Sequence, residues 1–130
     1  MLRKSIAQDL DLPEDFIETL EEYGLISAHE GEEGQYFEKN DVKIIRIARE
    51  FSRYGLEPRH MRMYETLTDR EAMVFEQIIM PSLKSKDLEI RRRALDNLLQ
   101  LVNLSRELKD LLLKNRVKGH FSDSNYPVPF

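Results

Sequence analysis

The chain has 130 residues, no cysteine and a formal net charge of −4. This is the usual length of one compact domain, and 41% hydrophobic with 34% charged residues is a globular rather than a disordered composition. The lack of Cys excludes disulfides, thiolate zinc sites and cysteine nucleophiles. No signal-like leader occurs, and no apolar run approaches the roughly 20 residues of a membrane span. We therefore expect a soluble, cytoplasmic protein with no membrane contact.

The charge is distributed unevenly along the chain. Residues 8–38 contain eleven Asp or Glu and no Lys or Arg, whereas residues 39–62 contain seven Lys or Arg and three Asp or Glu. The two segments are neighbours and can attract each other, and neither is a bulk polyelectrolyte tail.

Helical spacing predicts a short helix over residues 5–10 and a second helix over 13–23, which Pro13 opens and Gly24 ends. Two short strands around a charged, glycine-containing tip are predicted between residues 25 and 37. An amphipathic third helix over 39–53 turns its apolar side inward and its basic side outward.

Further helices follow. Pro58 opens a fourth one, and Asp69 is a plausible N-cap for a fifth that Pro81 kinks or ends. A long last helix is predicted over 87–117, with Gly119 beyond its end and an apolar-aromatic tail over 126–130. The predicted fold is thus mainly α: one domain over 1–130, with a winged helix-turn-helix-like unit over 1–68, long helices for core and dimer packing over 69–121, and a tail over 122–130.

The long helix carries apolar residues at alternating steps of four and three, which is the spacing of a helix-to-helix seam. Further leucines widen this stripe beyond what one neighbouring helix usually covers. We therefore predict a homodimer, against the alternative that the other helices cover the whole stripe. The predicted interface residues are Leu95, Leu98, Leu101, Leu104, Leu108 and Leu112.

The order of these elements is a winged helix-turn-helix plan, and specific residues carry a family resemblance. Over about residues 5–67 the chain resembles the MerR-type regulator domain, through Tyr23-Gly24-Leu25, Gly34 with Tyr36-Phe37, Asp41 and Tyr54-Gly55-Leu56. The segment YGLEPRHMRMY looks more specifically like the C-terminal domain of a MerR-like transcription regulator. In such a regulator this second winged-helix-like unit follows the true DNA-binding domain.

The chain departs from the MerR pattern where that pattern contacts DNA. Glu18 stands where the family has an arginine, and the second helix carries five carboxylates and no cation: Glu14, Asp15, Glu18, Glu21 and Glu22. The wing arginine is also absent, and the tip holds His29, Glu30, Glu32 and Glu33. Since DNA carries one charge per roughly 1.7 Å of axis, this surface repels it.

The resemblance therefore implies a dimerisation and regulatory domain, with an effector-sensing role, in which a separate N-terminal unit reads DNA. Its partners would be a second copy, DNA through the full-length regulator, and RNA polymerase. The alternative is direct DNA binding through the basic face of residues 39–62, and a solvated helix face is the simpler interpretation of the same charges. The candidate contacts are Lys39, Lys43, Arg46, Arg53, Arg59 and Arg62.

An enzyme is not expected, nor are catalytic, metal or cofactor sites. The three histidines lack metal-binding spacing, and the five glycines form no phosphate-binding loop. Met61 and Met63 with Tyr64 could line an effector pocket, although core packing is the simpler interpretation. Arg91, Arg92 and Arg93 point in different directions around a helix, which favours a solvated turn over a phosphate site.

Overall fold

The computed structural model describes residues 1–123, 125 and 127–130, and in this part of the chain five helices accompany one two-stranded hairpin. The predicted mainly α fold, a winged-helix-like unit followed by long helices, is confirmed. The elements in chain order are α1 Arg3–Asp9, α2 Glu14–Glu22, β1 His29–Gly31, β2 Gly34–Tyr36, α3 Lys39–Arg53, α4 Pro58–Leu83 and α5 Leu88–His120.

The chain divides into two compact units, Met1–Glu71 and Ala72–Phe130. We call them unit 1 and unit 2, and α4 contributes residues to both. None of the helices in the described ranges is long and apolar enough to cross a bilayer.

Unit 1 has a continuous hydrophobic core, because each of its helices turns one apolar stripe inward. Gly24 (φ 78°) follows α2 in the left-handed conformation that ends a helix with little strain for glycine. The buried members of the core are Ile6, Leu10, Ile17, Leu20, Ile26, Phe37, Val42, Ile45, Ala48 and Met61.

The wing is an antiparallel hairpin in which His29 lies opposite Tyr36 and Gly31 lies opposite Gly34. Its strands lie closer to the tip than predicted: His29 and Gly34, which were assigned to the tip, belong to β1 and β2, whereas Ile26 and Phe37 lie outside the strands and pack into the core. The start of the chain lies alongside β2. Leu2 forms a bridge with Tyr36, and Met1 and Phe37 exchange two main-chain hydrogen bonds of 2.8 and 2.9 Å.

Helix α3 covers the predicted residues 39–53. The predicted division of the next segment into a fourth and a fifth helix is wrong. Asp69 does not cap a new helix, because α4 continues through it from Pro58 to Leu83. Pro81 lies in the last turn of α4, two residues before its end. Because Pro81 has no N–H, α4 lacks one hydrogen bond, the one to the Gln77 main-chain oxygen a turn earlier, and the helix ends two residues later.

Helix α5 starts where it was predicted to start and ends later. The Asp87 carboxylate accepts a hydrogen bond of 2.9 Å from the Glu89 amide, which caps the helix. The prediction that Gly119 lies beyond the helix is wrong, because α5 continues to His120. Of the predicted tail, Tyr126 lies outside the described residues.

Unit 2 buries far less than unit 1. Among its described residues only Ile79 and Ala94 are fully buried hydrophobic side chains. Most of its leucines keep a large part of their surface in water.

Candidate functional site: the exposed helix faces

The outward face of α2 is acidic, and this helix occupies the recognition-helix position of the winged-helix plan. Glu14, Asp15, Glu18 and Glu22 are exposed. Glu21 differs from the sequence expectation, since it is partly buried and forms an ion pair with Arg3 of α1. Four of the five predicted carboxylates are therefore available to a partner.

The wing tip adds to this negative charge, because Glu30, Glu32 and Glu33 are exposed. His29 stacks on Tyr36 and lies 3.5 Å from a carboxylate oxygen of Glu38. The histidine thus belongs to the hairpin's own packing.

The outward face of α3 is basic. Lys39, Lys43 and Arg46 are exposed, and they form no ion pair among the described residues. We call these three residues the basic stripe, since they repeat at steps of four and three along one side of the helix.

The other cations of residues 39–62 have local partners or lie elsewhere. Arg53 forms an ion pair of 3.2 Å with Glu50. Arg49 donates a hydrogen bond of 3.0 Å to the Leu10 main-chain oxygen, which ties α3 to α1. Arg59 and Arg62 are exposed in the first turns of α4. The six predicted nucleic-acid contacts therefore do not form one continuous stripe on α3.

The predicted dimer residues of α5 lie in different environments. Leu98 and Leu101 are half-buried within unit 2, whereas Leu95, Leu104, Leu108 and Leu112 are exposed. Leu95 and Leu104 are nine positions apart, which places them on opposite sides of the helix at 3.6 residues per turn. One neighbouring helix cannot cover all six.

Four of the five exposed leucines in the second half of α5 share one side, and the fifth, Leu113, lies opposite Leu104. Leu104, Leu108 and Leu111 each leave more than half of their surface exposed, and Leu112 leaves 44% exposed. We call these four residues the leucine face. Leu111 was not among the predicted interface residues, although its spacing of three from Leu108 is the signal that identifies it.

Two shallow grooves accompany these faces, one in each unit. Beside α2, a groove is lined by Pro13, Asp15, Phe16, Thr19, Tyr23, Glu57, Pro58 and Arg59. In unit 2, a groove of about 340 Å³ has neutral polar side chains on an apolar floor, and it is lined by Ile78, Ile79, Ser82, Ala94, Asn97, Gln100 and Leu101.

The remaining sequence candidates are distributed over the chain. Met61 is buried in the core of unit 1, whereas Met63 and Tyr64 are exposed, so the three do not form a pocket. Arg91, Arg92 and Arg93 are exposed in the first turns of α5. In the described ranges no three His, Asp or Glu side chains converge as metal ligands would.

Comparison with known proteins agrees with this architecture over almost the whole chain. The pattern of the Rv1828-like C-terminal domain family matches residues 1–121. The chain belongs to this family. The match includes both the winged-helix-like unit and α5, so the two units recur together in the family.

Two curated relatives are both described as HTH-type transcriptional regulators. They are an HTH-type transcriptional regulator Rv1828 of Mycobacterium tuberculosis and an HTH-type transcriptional regulator Mb1859 of Mycobacterium bovis. Each is 28% identical over 116 residues, which cover 89% of this chain and 46% of the relative. The chain therefore spans about half the length of the curated relatives that it matches.

Proposed function

We propose that this chain is the dimerisation and regulatory part of a MerR-like transcription regulator in which a separate unit reads DNA. The family match and the names of the relatives support a role in transcription regulation. The match to only about half of each relative supports a division of labour between this part and another.

The acidic face of α2 carries this proposal. A recognition helix needs Arg, Lys, Asn, Gln, Ser or Thr toward the phosphates and base edges. Here the corresponding face presents Glu14, Glu18 and Glu22, and Arg3 of the neighbouring α1 is already paired with Glu21. The scaffold of a DNA reader therefore presents a surface that suits contacts with proteins.

The leucine face supports a second copy as one of these protein contacts. Its four leucines expose on the order of 400 Å² of apolar surface, and patches of this size on soluble proteins are often functional. Leu101, Leu104, Leu108, Leu111 and Asn115 follow the alternating three-and-four spacing of a coiled-coil seam.

The charges beside this seam favour an antiparallel pair of α5 helices. In that arrangement Leu108 lies opposite Leu111 of the second copy. Glu107 lies next to Lys114 of the second copy, twice per dimer, and shares it with Asp110, which pairs with Lys114 at 2.9 Å within one helix. In a parallel pair the same two side chains would face Leu112 and Gly119 instead. Apolar burial would supply on the order of 10 kcal/mol and each exposed ion pair at most about 1 kcal/mol, so the charges set orientation rather than affinity.

Sedimentation velocity of charge variants tests this dimer. At an ionic strength near 1 M, where exposed ion pairs between copies are screened, Leu108→Glu should give a folded monomer, because a carboxylate would lose its hydration in an apolar seam. Leu108 is a better position for this test than the half-buried Leu101, where the same change would also disturb packing within unit 2. A Leu108→Glu variant that remains dimeric would refute the seam.

Glu107 and Lys114 test the orientation. Glu107→Lys alone and Lys114→Glu alone should each weaken the dimer, and the double variant should restore it. Within one helix the two residues are seven positions apart, about 10 Å at 1.5 Å per residue, so they are not expected to pair with each other. Restoration of the dimer by the double variant would therefore report a contact between the two copies. A double variant weaker than both single variants would exclude the antiparallel pair.

Direct DNA binding through residues 39–62 is the second candidate, and the unpaired basic stripe is the observation that favours it. Its test is titration of a duplex at low ionic strength, where phosphate contacts are strongest. We expect little binding, because the acidic α2 and wing tip belong to the same unit. If Arg46→Glu with Arg53→Glu abolished a measurable affinity, the basic face would be the DNA contact.

An effector-sensing role has its best candidate place in the groove of unit 2. Ser82, Asn97 and Gln100 surround an apolar floor and have no side-chain hydrogen bond among the described residues, so the groove would suit an uncharged ligand. Contact with RNA polymerase and a cytoplasmic location complete the proposal.

A further inference from the structure

Unit 1 presents two helix faces of opposite charge, and each is regular. On α2, Glu14, Glu18 and Glu22 repeat every four residues along the exposed side. On α3, the basic stripe of Lys39, Lys43 and Arg46 follows the exposed side. Both helices turn their apolar sides into the same core, so the two charged faces point outward.

Neither face has an ion-pair partner in the described part of its own chain. The three carboxylates and the three cations take part in no ion pair among the described residues, whereas the neighbouring Glu21 and Arg53 are paired with Arg3 and Glu50. Like charges at a spacing of four residues repel one another along a helix. A partner that supplies opposite charges relieves this repulsion on both surfaces.

The two faces also match in length. At a rise of about 1.5 Å per residue, the carboxylates span about 12 Å and the cations about 10.5 Å. Two helices lying side by side can therefore form three ion pairs in one register. The chain itself supplies both surfaces, so a second copy needs no further partner to complete the contact.

We propose that a second copy of the chain docks its basic stripe on the acidic face of α2, with the two helices antiparallel. In this register Glu14 pairs with Arg46, Glu18 with Lys43 and Glu22 with Lys39 of the other copy. The direction follows from Glu50, which then lies near the amino end of α2, where the helix dipole favours an anion. The reverse direction would place Glu50 at the negative end.

This contact goes beyond the proposed function and does not rest on it, because it uses unit 1 and not the leucine face of α5. Exposed ion pairs are individually weak and are screened by salt. The association should therefore be salt-sensitive, in contrast to an apolar α5 seam.

Sedimentation velocity of the full chain tests the contact in the Leu108→Glu background, which removes the proposed α5 seam. At an ionic strength near 0.01 M, where the Debye length is about 30 Å, we expect the chain with wild-type α2 and α3 to associate. Near 1 M, where that length is about 3 Å, we expect this association to be lost.

One variant reverses the charges of α2 (Glu14→Lys, Glu18→Lys, Glu22→Lys), and another reverses the charges of α3 (Lys39→Glu, Lys43→Glu, Arg46→Glu). Each variant alone should lose at least tenfold in apparent affinity, and an equimolar mixture should recover it. Circular dichroism checks that each variant is folded.

A matched control separates this contact from attraction between net charges. Glu30→Lys, Glu32→Lys and Glu33→Lys on the wing tip change the net charge as much as the α2 reversal does but leave both helix faces intact. This wing-tip variant alone should therefore keep the wild-type affinity that the α2 reversal alone loses. The direction is tested with two double variants: Glu14→Lys with Arg46→Glu in one chain should restore the association that Glu14→Lys weakens, and Glu14→Lys with Lys39→Glu should not.

The proposal is overturned if the two triple reversals fail to complement each other, or if the wing-tip variant alone loses as much affinity as the α2 reversal. It is also overturned if the chain has the same mass at both ionic strengths. That result would refute the contact even if the basic stripe binds duplex DNA.

Discussion

At the scale of single residues, burial separates side chains that look equivalent in the sequence. Ile45 and Ile47 lie two positions apart on α3, yet Ile45 is fully buried and Ile47 is 57% exposed. The 3.6-residue period explains this difference, since positions two apart point to different sides of a helix.

The exchange of each of these isoleucines for alanine makes the difference measurable. Ile45→Ala should lower the free energy of unfolding by about 2–5 kcal/mol, because it removes methyl groups from a filled core. Ile47→Ala on the same helix should cost no more than about 0.5 kcal/mol, as surface changes usually do. Urea unfolding followed by circular dichroism measures both, and equal losses would contradict the described core.

Gly55 and Gly119 provide a second comparison between two residues of the same type. Gly55 has φ 91° after α3, a conformation that side chains with a Cβ rarely adopt, whereas Gly119 lies within α5. Gly55→Ala should therefore destabilise unit 1 by about 1 kcal/mol, although no atom obstructs its Cβ. Gly119→Ala should be neutral or stabilising by up to about 1 kcal/mol. Thermal unfolding of the two variants gives the comparison, and a destabilised Gly119→Ala variant would argue against a helix at that position.

Some residue environments depend on tertiary contacts that no spacing rule contains. Arg49 is one of the seven cations of residues 39–62, and its guanidinium donates to the Leu10 main-chain oxygen on α1. The composition of α2 likewise gave five equivalent carboxylates, and only the packing of α1 beside α2 gives Glu21 a partner. The sign of the charge on each exposed helix face was predictable from the sequence, whereas the hydrogen bonds and ion pairs of its individual side chains were not.

At the scale of secondary structure, clear stop signals made the boundaries predictable. Helix α3 ends before Gly55, and α5 begins after the capping Asp87, as the sequence indicates. The division of α4 at Asp69 was wrong, because no glycine or proline lies near that position to interrupt the helix. A capping residue favours a helix start only where the preceding chain is not already helical.

The cap of α5 gives the prediction at this scale. Asp87→Ala removes the acceptor of the Glu89 amide and should destabilise the first turn of α5 by about 1 kcal/mol. Hydrogen exchange of the amides of residues 89–91 should accelerate by about fivefold, which corresponds to this free energy. Asp96→Ala, the same change in the middle of the helix, should leave those amides unchanged. Equal acceleration in both variants would mean that the cap contributes nothing.

At the scale of the whole molecule, the two units differ in how much they bury. The ten buried members of the hydrophobic core all lie in unit 1. In unit 2 the described residues include only Ile79 and Ala94 as buried hydrophobic side chains. A unit with so little core needs a covering partner or a high concentration to remain folded.

Separate expression of the two units tests this difference. Residues 1–71 should fold alone and unfold cooperatively in urea, because their core is complete. Residues 72–130 should show helicity that rises with protein concentration, as expected when association supplies the missing burial. Circular dichroism over a hundredfold range of concentration measures this, and a concentration-independent, cooperative unit 2 would show that its few buried contacts suffice.

The attachment of the first residue to the wing has a practical consequence. Because the Met1 amino group and carbonyl oxygen are both bonded to Phe37, the α-amino group is anchored to the hairpin rather than hanging from it. A fluorophore coupled there will report the tumbling of the folded body in anisotropy measurements. An affinity tag belongs at the opposite terminus, where it leaves this edge undisturbed.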